Sequence, residues 1–203
     1  MRVEIKRLIP APIKQQARRW HSLFMSRLGQ PRMIWGYQDA SGQFRPRTRI
    51  SNTAYFYHPE RISIADNVFI WHYTILDGTG GLTIGEGTQI GAWVGIFTHS
   101  SHIAIRLYGD HYQEVPEAQK KGYLIAPIRI GRYVFIGAGS KILPGVDIGD
   151  GVLISADSVV KNNIDDFAIV AGNPAKVIGD TRNLDTKHLD DPQIRQWYDE
   201  WQM

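Results

Sequence analysis

An aliphatic residue recurs every six positions through most of this chain. The six-residue blocks begin at Ile64, Ile70, Leu76, Ile84, Ile90 and Ile96, and again at Ile130, Ile136, Ile142, Ile148, Ile154 and Val160. The fifth position of a block is mostly small or β-branched, as in Val68, Thr74 and Ser140. Because positions one and five are four apart, their side chains point to the same face of a strand. A period of six predicts a parallel β-helix, in which each block supplies one short strand and one corner.

Position two of the block is often glycine, and we expect it to lie where the chain bends most tightly, because a Cβ is costly there. One coil alone buries little apolar surface, so the coils must stack and pair through their backbones. A sandwich of short strands is the alternative, but its strands usually recur every ~8–12 residues. The predicted fold class is therefore all-β, with coils of hexapeptide repeats.

Two interruptions break the period. Gly80-Gly81 add two residues before the block at Ile84, and a longer excursion, about 99–127, separates Ile96 from Ile130. The excursion is rich in His, Tyr and charged residues. A long loop inside a compact repeat is typically functional or disordered. Its aromatic content favours an ordered, functional loop that protrudes from the coil.

The chain on either side of the repeat divides the protein into three predicted parts. Residues 1–50 form a helical or irregular extension, 51–179 the β-helix, and 180–203 a C-terminal helix that starts near Pro192. In the extension we expect a helix from Pro12 to about Leu28, with its apolar face packed on the protein. The alternative is a basic helical surface that touches anionic lipid, which would be peripheral membrane association.

Composition narrows the function classes. The 23 Lys and Arg against 20 Asp and Glu give a net charge of +3, too mild to indicate a nucleic-acid partner. The chain contains no Cys, which removes disulfides, thiolate metal sites and a cysteine nucleophile, and fits a cytoplasmic protein. No apolar run approaches the ~18 residues of a membrane span.

The candidate chemistry lies at the two interruptions. His99 and His102 open the long loop, and a positioned imidazole can take a proton from a hydroxyl. Asp77 begins the shorter insertion, where its carboxylate could accept a hydrogen bond from a sugar hydroxyl, together with His72. A competing interpretation groups these histidines with His111 around zinc.

The segment IGDGVLISADSVV, followed by IVAGNPAKVIG at 169–179, closely resembles the C-terminal signature of the hexapeptide-repeat acyltransferases, which have a left-handed parallel β-helix. The resemblance covers about 60–179. Its AGNPAK ending is similar to that of acetyl-CoA-dependent O-acetyltransferases, and ILDGTGGLTIG with FTHSSH looks like enzymes of capsule, O-antigen and exopolysaccharide assembly. Galactoside and maltose acetyltransferases are more distant, because residues 1–50 lack the acidic, Tyr-containing helical cap expected of them.

The resemblance implies a homotrimer with active sites in grooves between subunits. It implies acetyl-CoA as cosubstrate, a sugar or oligosaccharide acceptor, direct transfer and no metal. The family's catalytic histidine usually follows the block start by five or more residues, which favours His102 over His99 as the base. The expected coenzyme-binding positions are Ala138, Ala156, Lys161 and Lys176.

Two other classes remain open from the sequence. A zinc enzyme similar to γ-class carbonic anhydrases would need histidines on adjacent coils, commonly spaced H-x4-H, whereas this chain has H-x2-H. A non-catalytic trimeric scaffold would use the same fold as an assembly surface.

Overall fold

The structure, a computed structural model, describes residues 13, 16–20 and 29–202. Residues 1–32 and 33–203 are two compact units. In the first unit, residues 13 and 16–20 are helical. The predicted helix start at Pro12, its end at Leu28 and most of its apolar face lie outside the described residues. No helix in the described ranges is long and apolar enough to cross a bilayer.

The second unit consists mostly of very short strands. They are β1 (Met33–Gln38), β2 (Phe44–Ser51), β3 (Tyr55–Tyr57), β4 (Ile62–Ile64), β5 (Phe69–Ile70), β6 (Ile75–Asp77), β7 (Leu82–Ile84), β8 (Gln89–Ile90), β9 (Gly95–Ile96), β10 (His99–Ser100), β11 (Leu124–Ile125), β12 (Ile128–Ile130), β13 (Phe135–Ile136), β14 (Lys141–Ile142), β15 (Asp147–Ile148), β16 (Leu153–Ile154), β17 (Val159–Val160), β18 (Ala168–Gly172) and β19 (Ala175–Asp180). The helices are α1 (Ala104–Tyr108), α2 (Thr181–Asp185) and α3 (Pro192–Gln202), with short 3-10 turns at Pro59–Arg61, Gly109–Gln113, Glu117–Gln119 and Thr186–His188.

Three sheets run along the coil, and the chain visits them in turn. Sheet A has the order β1-β2-β5-β8-β13-β16-β18-β19, sheet B is β17-β14-β9-β6-β3, and sheet C is β15-β12-β7-β4. Pairing between coils is parallel, and block starts face block starts, as in Ile70 with Ile90 and Ile136 with Ile154. The chain passes from C to A to B and back to C. We therefore name its three edges the C–A, A–B and B–C corners.

The interior is filled by positions one and five of the blocks, as predicted. The block starts are buried, and at position five Thr74, Thr88 and Ser140 are completely buried too. Their hydroxyls donate to backbone carbonyls, for example from Thr88 to Gly131 at 2.9 Å. Where position five is Thr or Ser, the buried hydroxyl therefore leaves no unsatisfied polar group beside the large aliphatic residue.

The tight bend lies at position four of the block, not at position two as expected. Positive φ angles recur there, from Asn67 (62°) to Phe167 (60°). Position two is glycine for another reason. A Cβ added to Gly85 would lie 2.4 Å from the carbonyl oxygen of Gly131 on the next coil. Close stacking of coils, rather than backbone curvature, selects glycine at this position.

The region before the repeat contains strands where we expected a helical or irregular extension. β1 and β2 form an antiparallel hairpin, and β2 pairs in parallel with β5, so the hairpin extends sheet A by two strands. An antiparallel hairpin has no six-residue period, so the block pattern gives no sign of it.

The C-terminal helix covers the C–A corner. Trp201 of α3 contacts the rings of Tyr133 and Phe167, with centroid distances of 4.7 and 5.7 Å. The ion pair between Arg132 and Asp150, at 2.8 Å, lies on the same corner. The C–A corner of the later coils is therefore covered by the protein's own chain.

Candidate active site

A histidine and an aspartate from consecutive coils meet at the B–C corner. Asp77 ends β6, and His99 follows β9 one coil later. The Nδ1 of His99 lies 2.6 Å from Oδ2 of Asp77. The side chain of His99 is 31% exposed, whereas that of Asp77 is only 3% exposed. The pair thus has a buried carboxylate beneath a partly accessible imidazole.

The carboxylate of Asp77 is held by its own chain. Thr79 donates to Oδ1 through its backbone N–H at 2.9 Å and its hydroxyl at 2.6 Å. Thr98 donates to Oδ2 through its N–H at 2.8 Å and its hydroxyl at 3.0 Å. Burial alone would raise the pKa of Asp77, but hydrogen bonds from Thr79, His99 and Thr98 outweigh it and lower the pKa to about 2. Asp77 is therefore ionised at any working pH.

An ionised carboxylate decides which nitrogen of His99 carries the proton. A carboxylate only accepts hydrogen bonds, so Nδ1 must be the donor and Nε2 carries the free lone pair. The ring of Tyr123 stacks on the imidazole, with centroids 5.9 Å apart and planes 29° apart, and the ring of Tyr57 lies 6.2 Å away. Burial, with the nearby Glu117 carboxylate, raises the pKa of Tyr123 to about 12, so its hydroxyl stays protonated. The imidazole is thereby fixed as an oriented proton acceptor.

His99 opens into a pocket of about 370 Å³. The pocket is lined by Phe97, His99, Ser100, His102, Leu124, Leu143, Pro144 and Lys161. Lys161 also lines a neighbouring pocket of about 290 Å³ that contains Lys176. The two pockets therefore share a wall along the B–C corner and lead from the imidazole to two lysines. A larger cleft of about 440 Å³ over sheet C is separate, and its Arg129 is already paired with Asp147.

The structure brings His102 into the same pocket but gives it a different partner. His102 is exposed, and its Nδ1 lies 2.8 Å from the hydroxyl of Ser100. It has no carboxylate partner among the described contacts. The geometry thus favours His99 over His102 as the base, opposite to the order that the family spacing suggests.

The structure does not bring Asp77 and His72, the two predicted acceptor-binding residues, together. Both oxygens of Asp77 accept hydrogen bonds from its own chain, one of them from His99, which places Asp77 to orient that ring. His72 lies at the A–B corner, where its Nδ1 is 2.7 Å from the hydroxyl of Ser51. Within one chain, sheet B separates it from His99.

The four expected coenzyme positions also divide between two corners. Lys161 follows sheet B and lies at the B–C corner, close to the pocket that contains Lys176. Ala138 and Ala156 follow sheet A and lie at the A–B corner. Across the described residues, no three His, Asp or Glu side chains form a group that could hold a metal ion. His111 pairs with Glu114 on the loop surface instead.

Several residues of the site are not apparent from the repeat. Thr98, on the next coil, contacts Asp77, and Tyr123, at the far end of the loop, contacts His99. No sequence signal predicts either contact. Thr79 was detectable, because an Asp followed two residues later by a Thr is the pattern of an Asx-turn.

A parallel β-helix with a histidine–aspartate pair at the base of a protruding loop defines the class of this protein. Residues 127–162 match the bacterial transferase hexapeptide (six repeats) family. Nodulation protein L of Rhizobium meliloti is 32% identical over 162 residues, which is 79% of this chain and 83% of that protein. The chain belongs to the hexapeptide-repeat transferase family.

Further relatives carry acetyltransferase names. Galactoside O-acetyltransferase of Escherichia coli is 33% identical over 137 residues, covering 66% of this chain and 61% of that protein. A hexapeptide-repeat acetyltransferase of Vibrio cholerae, solved with acetyl-CoA, is 28% identical with a TM-score of 0.54, covering 63% of this chain and 64% of that one. Its likeness implies that the coils wind left-handed. For two other relatives the matched segments span only 55% and 33% of those proteins.

Proposed function

We propose that this protein is an acetyl-CoA-dependent O-acetyltransferase that modifies a sugar hydroxyl during surface polysaccharide assembly. The observation that carries the proposal is the pairing of His99 with the buried, ionised carboxylate of Asp77 at the mouth of a pocket. The acetyltransferase names of the relatives and the acetyl-CoA bound to the Vibrio protein support the donor.

The reaction needs no covalent enzyme intermediate. Nε2 of His99 accepts the proton of the acceptor hydroxyl, and the oxygen attacks the carbonyl carbon of the thioester. Backbone N–H groups stabilise the oxyanion, and the C–S bond then breaks. The imidazolium returns the proton to the departing sulfur, so CoA leaves as the thiol. Asp77 stabilises the positive imidazolium while it exists, as a carboxylate beside a catalytic histidine does in other enzymes.

The coenzyme would extend from the pocket of His99 towards the lysines at the B–C corner. Lys161 and Lys176 can meet phosphate groups as point charges. The proposal includes a homotrimer and a cytoplasmic location, where acetyl-CoA is available; light scattering and cell fractionation test these two parts directly.

A thiol-release assay tests the activity. Purified protein is mixed with acetyl-CoA and a panel of mono- and oligosaccharides, and free CoA is measured with a thiol reagent. Because the chain contains no Cys, the protein itself gives no background. Replacing His99 by Ala should lower the rate by about 10²–10⁴, whereas His102→Ala should retain most of it.

Donor binding is measured independently by thermal unfolding. Acetyl-CoA at about 100 times its Kd should stabilise the protein by about 2.7 kcal/mol. The proposal is wrong if acetyl-CoA neither raises the melting temperature nor releases thiol with any sugar, or if His99→Ala keeps full activity.

A further inference from the structure

A tight turn follows Asp77 at the first interruption of the period. The N–H of Gly81 donates to the carbonyl oxygen of Gly78 at 2.9 Å, which defines a β-turn. Thr79 and Gly80 are its two central residues. The N–H and the hydroxyl of Thr79 both donate to Oδ1 of Asp77. The orientation of the carboxylate therefore depends on the conformation of this turn.

The peptide between the two central residues of a β-turn can take two opposite orientations. Turns of types I and II differ by a rotation of this peptide, and type II requires a positive φ at the third residue. Here the third residue is Gly80, which accepts either sign of φ at little cost. A Cβ on Gly80 would lie 2.7 Å from the carbonyl oxygen of Ala126 and 2.9 Å from that of Thr98. Packing therefore demands a glycine here, and a glycine does not select one orientation of the peptide.

Side chains from the two neighbouring coils hold this peptide instead. On one side, Nη1 of Arg61 donates to the carbonyl oxygen of Thr79 at 2.8 Å. On the other side, the N–H of Gly80 donates to Oγ1 of Thr98 at 2.8 Å. Arg61 belongs to the coil before Asp77, and Thr98 belongs to the coil after it. The two side chains together fix the peptide in one orientation.

The orientation of the peptide decides where the single hydrogen of the Thr98 hydroxyl goes. Because Oγ1 accepts the N–H of Gly80, its own hydrogen remains for Asp77, whose carbonyl oxygen and Oδ2 lie 2.9 and 3.0 Å away. If the peptide rotated, the carbonyl oxygen of Thr79 would face Oγ1 in place of the N–H. A carbonyl only accepts, so the hydroxyl would donate to it instead of to Asp77. Rotation would thus remove a hydrogen bond from the carboxylate that orients His99.

Local structure brings Arg61 to this contact. The 3-10 turn Pro59–Arg61 begins with a proline, whose fixed φ suits the first position of a helical turn. The N–H of Arg61 donates to the carbonyl oxygen of His58 at 3.0 Å. A Cβ on Gly78 would lie 2.4 Å from this same carbonyl oxygen. The 3-10 turn therefore packs directly against the turn of Asp77.

We propose that Arg61 is a positioning residue of the transfer reaction, because it fixes the peptide through which Asp77 is set to orient His99. This inference rests on the proposed function and adds a residue outside the pocket of His99. In this role Arg61 contacts neither the acceptor nor the coenzyme, since it lines the separate cleft over sheet C. Its loss should therefore lower kcat and leave KM for acetyl-CoA and for the sugar nearly unchanged.

Arg61→Ala tests this role by kinetics and by chemical rescue. Removal of the guanidinium should lower kcat for the best sugar of the panel by roughly 10–100-fold, the loss expected of a misplaced base. Because the cleft over sheet C opens onto Arg61, guanidinium chloride at millimolar concentration should enter the space left by the side chain and restore part of kcat. Potassium chloride at the same concentration is the salt control and should restore none.

Arg129→Ala is the matched control. Arg129 lines the same cleft but pairs with Asp147 at 3.1 Å, and among the described contacts it does not reach the turn of Asp77. This variant should keep the wild-type kcat with or without guanidinium. If Arg61→Ala does not fold, Arg61→Met and Arg61→Lys make the same comparison, because both keep the length of the side chain and lysine alone keeps a donor. The lysine variant should retain most of kcat, and the methionine variant should lose it.

Nuclear magnetic resonance tests the geometry without a substrate. In the wild type, the ring nitrogen shifts of His99 should show the proton on Nδ1, and the amide of Gly80 should exchange slowly because it is bonded to Thr98. Arg61→Ala should speed this exchange and weaken the preference for Nδ1, whereas Arg129→Ala should change neither.

Either of two results overturns the positioning role. One is a wild-type kcat in Arg61→Ala or Arg61→Met, and the other is an unchanged Gly80 amide and His99 tautomer in these variants. If the wild type releases no thiol with any sugar, the proposed function fails instead, and the magnetic resonance measurements still test whether Arg61 holds the turn.

Discussion

Replacing Asp77 by Asn tests the reasoning about the histidine pair most directly. The change keeps the shape of the side chain but removes its charge. An amide NH2 group in the place of Oδ2 would face donors, namely Nδ1–H of His99 and the N–H of Thr98. His99 could restore a hydrogen bond only by moving its proton to Nε2, the atom that must accept the proton of the sugar.

Two magnitudes follow from the structure. Loss of the correct tautomer should lower kcat by about 10²–10⁴. The lowering of the pKa of Asp77 from 3.8 to about 2 corresponds to roughly 2 kcal/mol of folding stability at neutral pH. For a domain of this size, that loss should reduce the melting temperature by about 4–8 °C.

Steady-state thiol release and thermal unfolding at pH 7 measure the two effects. Glu114→Gln is the matched control, because Glu114 also contacts a histidine, His111, at 2.8 Å, but in an exposed position on the loop. It should change neither quantity. If Asp77→Asn folds and retains more than about a tenth of the wild-type kcat, Asp77 does not orient the base.

Three further predictions concern stability. The protein should lose the contribution of Asp77 as the pH falls from about 4 to 2, because its folded pKa lies below its unfolded value, and acid titration followed by circular dichroism measures this loss. Gly85→Ala should destabilise the coil by about 1–3 kcal/mol in urea unfolding, because its Cβ meets the carbonyl of Gly131; unchanged stability would contradict the close-stacking explanation. Trp201→Ala should lower the free energy of unfolding by about 3 kcal/mol, because the rings of Tyr133 and Phe167 lose their contact with Trp201. Trp197→Ala should lower it little, and differential scanning calorimetry measures both changes.

The six-residue period predicts the coil because its cause is local. Each block buries its own first and fifth residues, so every repeat indicates which side chains point into the coil. The period does not predict the hairpin of β1 and β2, since this hairpin joins sheet A only through β5, about twenty residues further on. The sequence also misplaces the bend. The glycines at position two suggest a bend there, but they are selected because the next coil packs close to them, not because their own backbone bends.

The sequence predicts where the candidate site lies but not which role each of its residues has. The two interruptions of the period locate Asp77, His99 and His102, since a rigid coil admits irregular chain only at its corners. The choice between the histidines depends on contacts 21 and 22 residues apart, where Thr98 and His99 meet Asp77. The parallel pairing of Leu76 with Ile96 brings Thr98 and His99 near Asp77, but the spacing of residues does not show which histidine side chain turns towards the carboxylate.

The three corners of the coil differ in which side chains cover them, and this difference indicates where the candidate active site lies. Trp201 packs on Tyr133 and Phe167 and so covers the C–A corner of the later coils. The B–C corner holds the base, because there the loop departs without interrupting the ladder of parallel strands. The A–B corner exposes the rings of Tyr73 and Trp93, which stack on each other. Of the three corners in the described part of the chain, the B–C corner alone combines a pocket with the His99–Asp77 pair, so the candidate chemistry lies there.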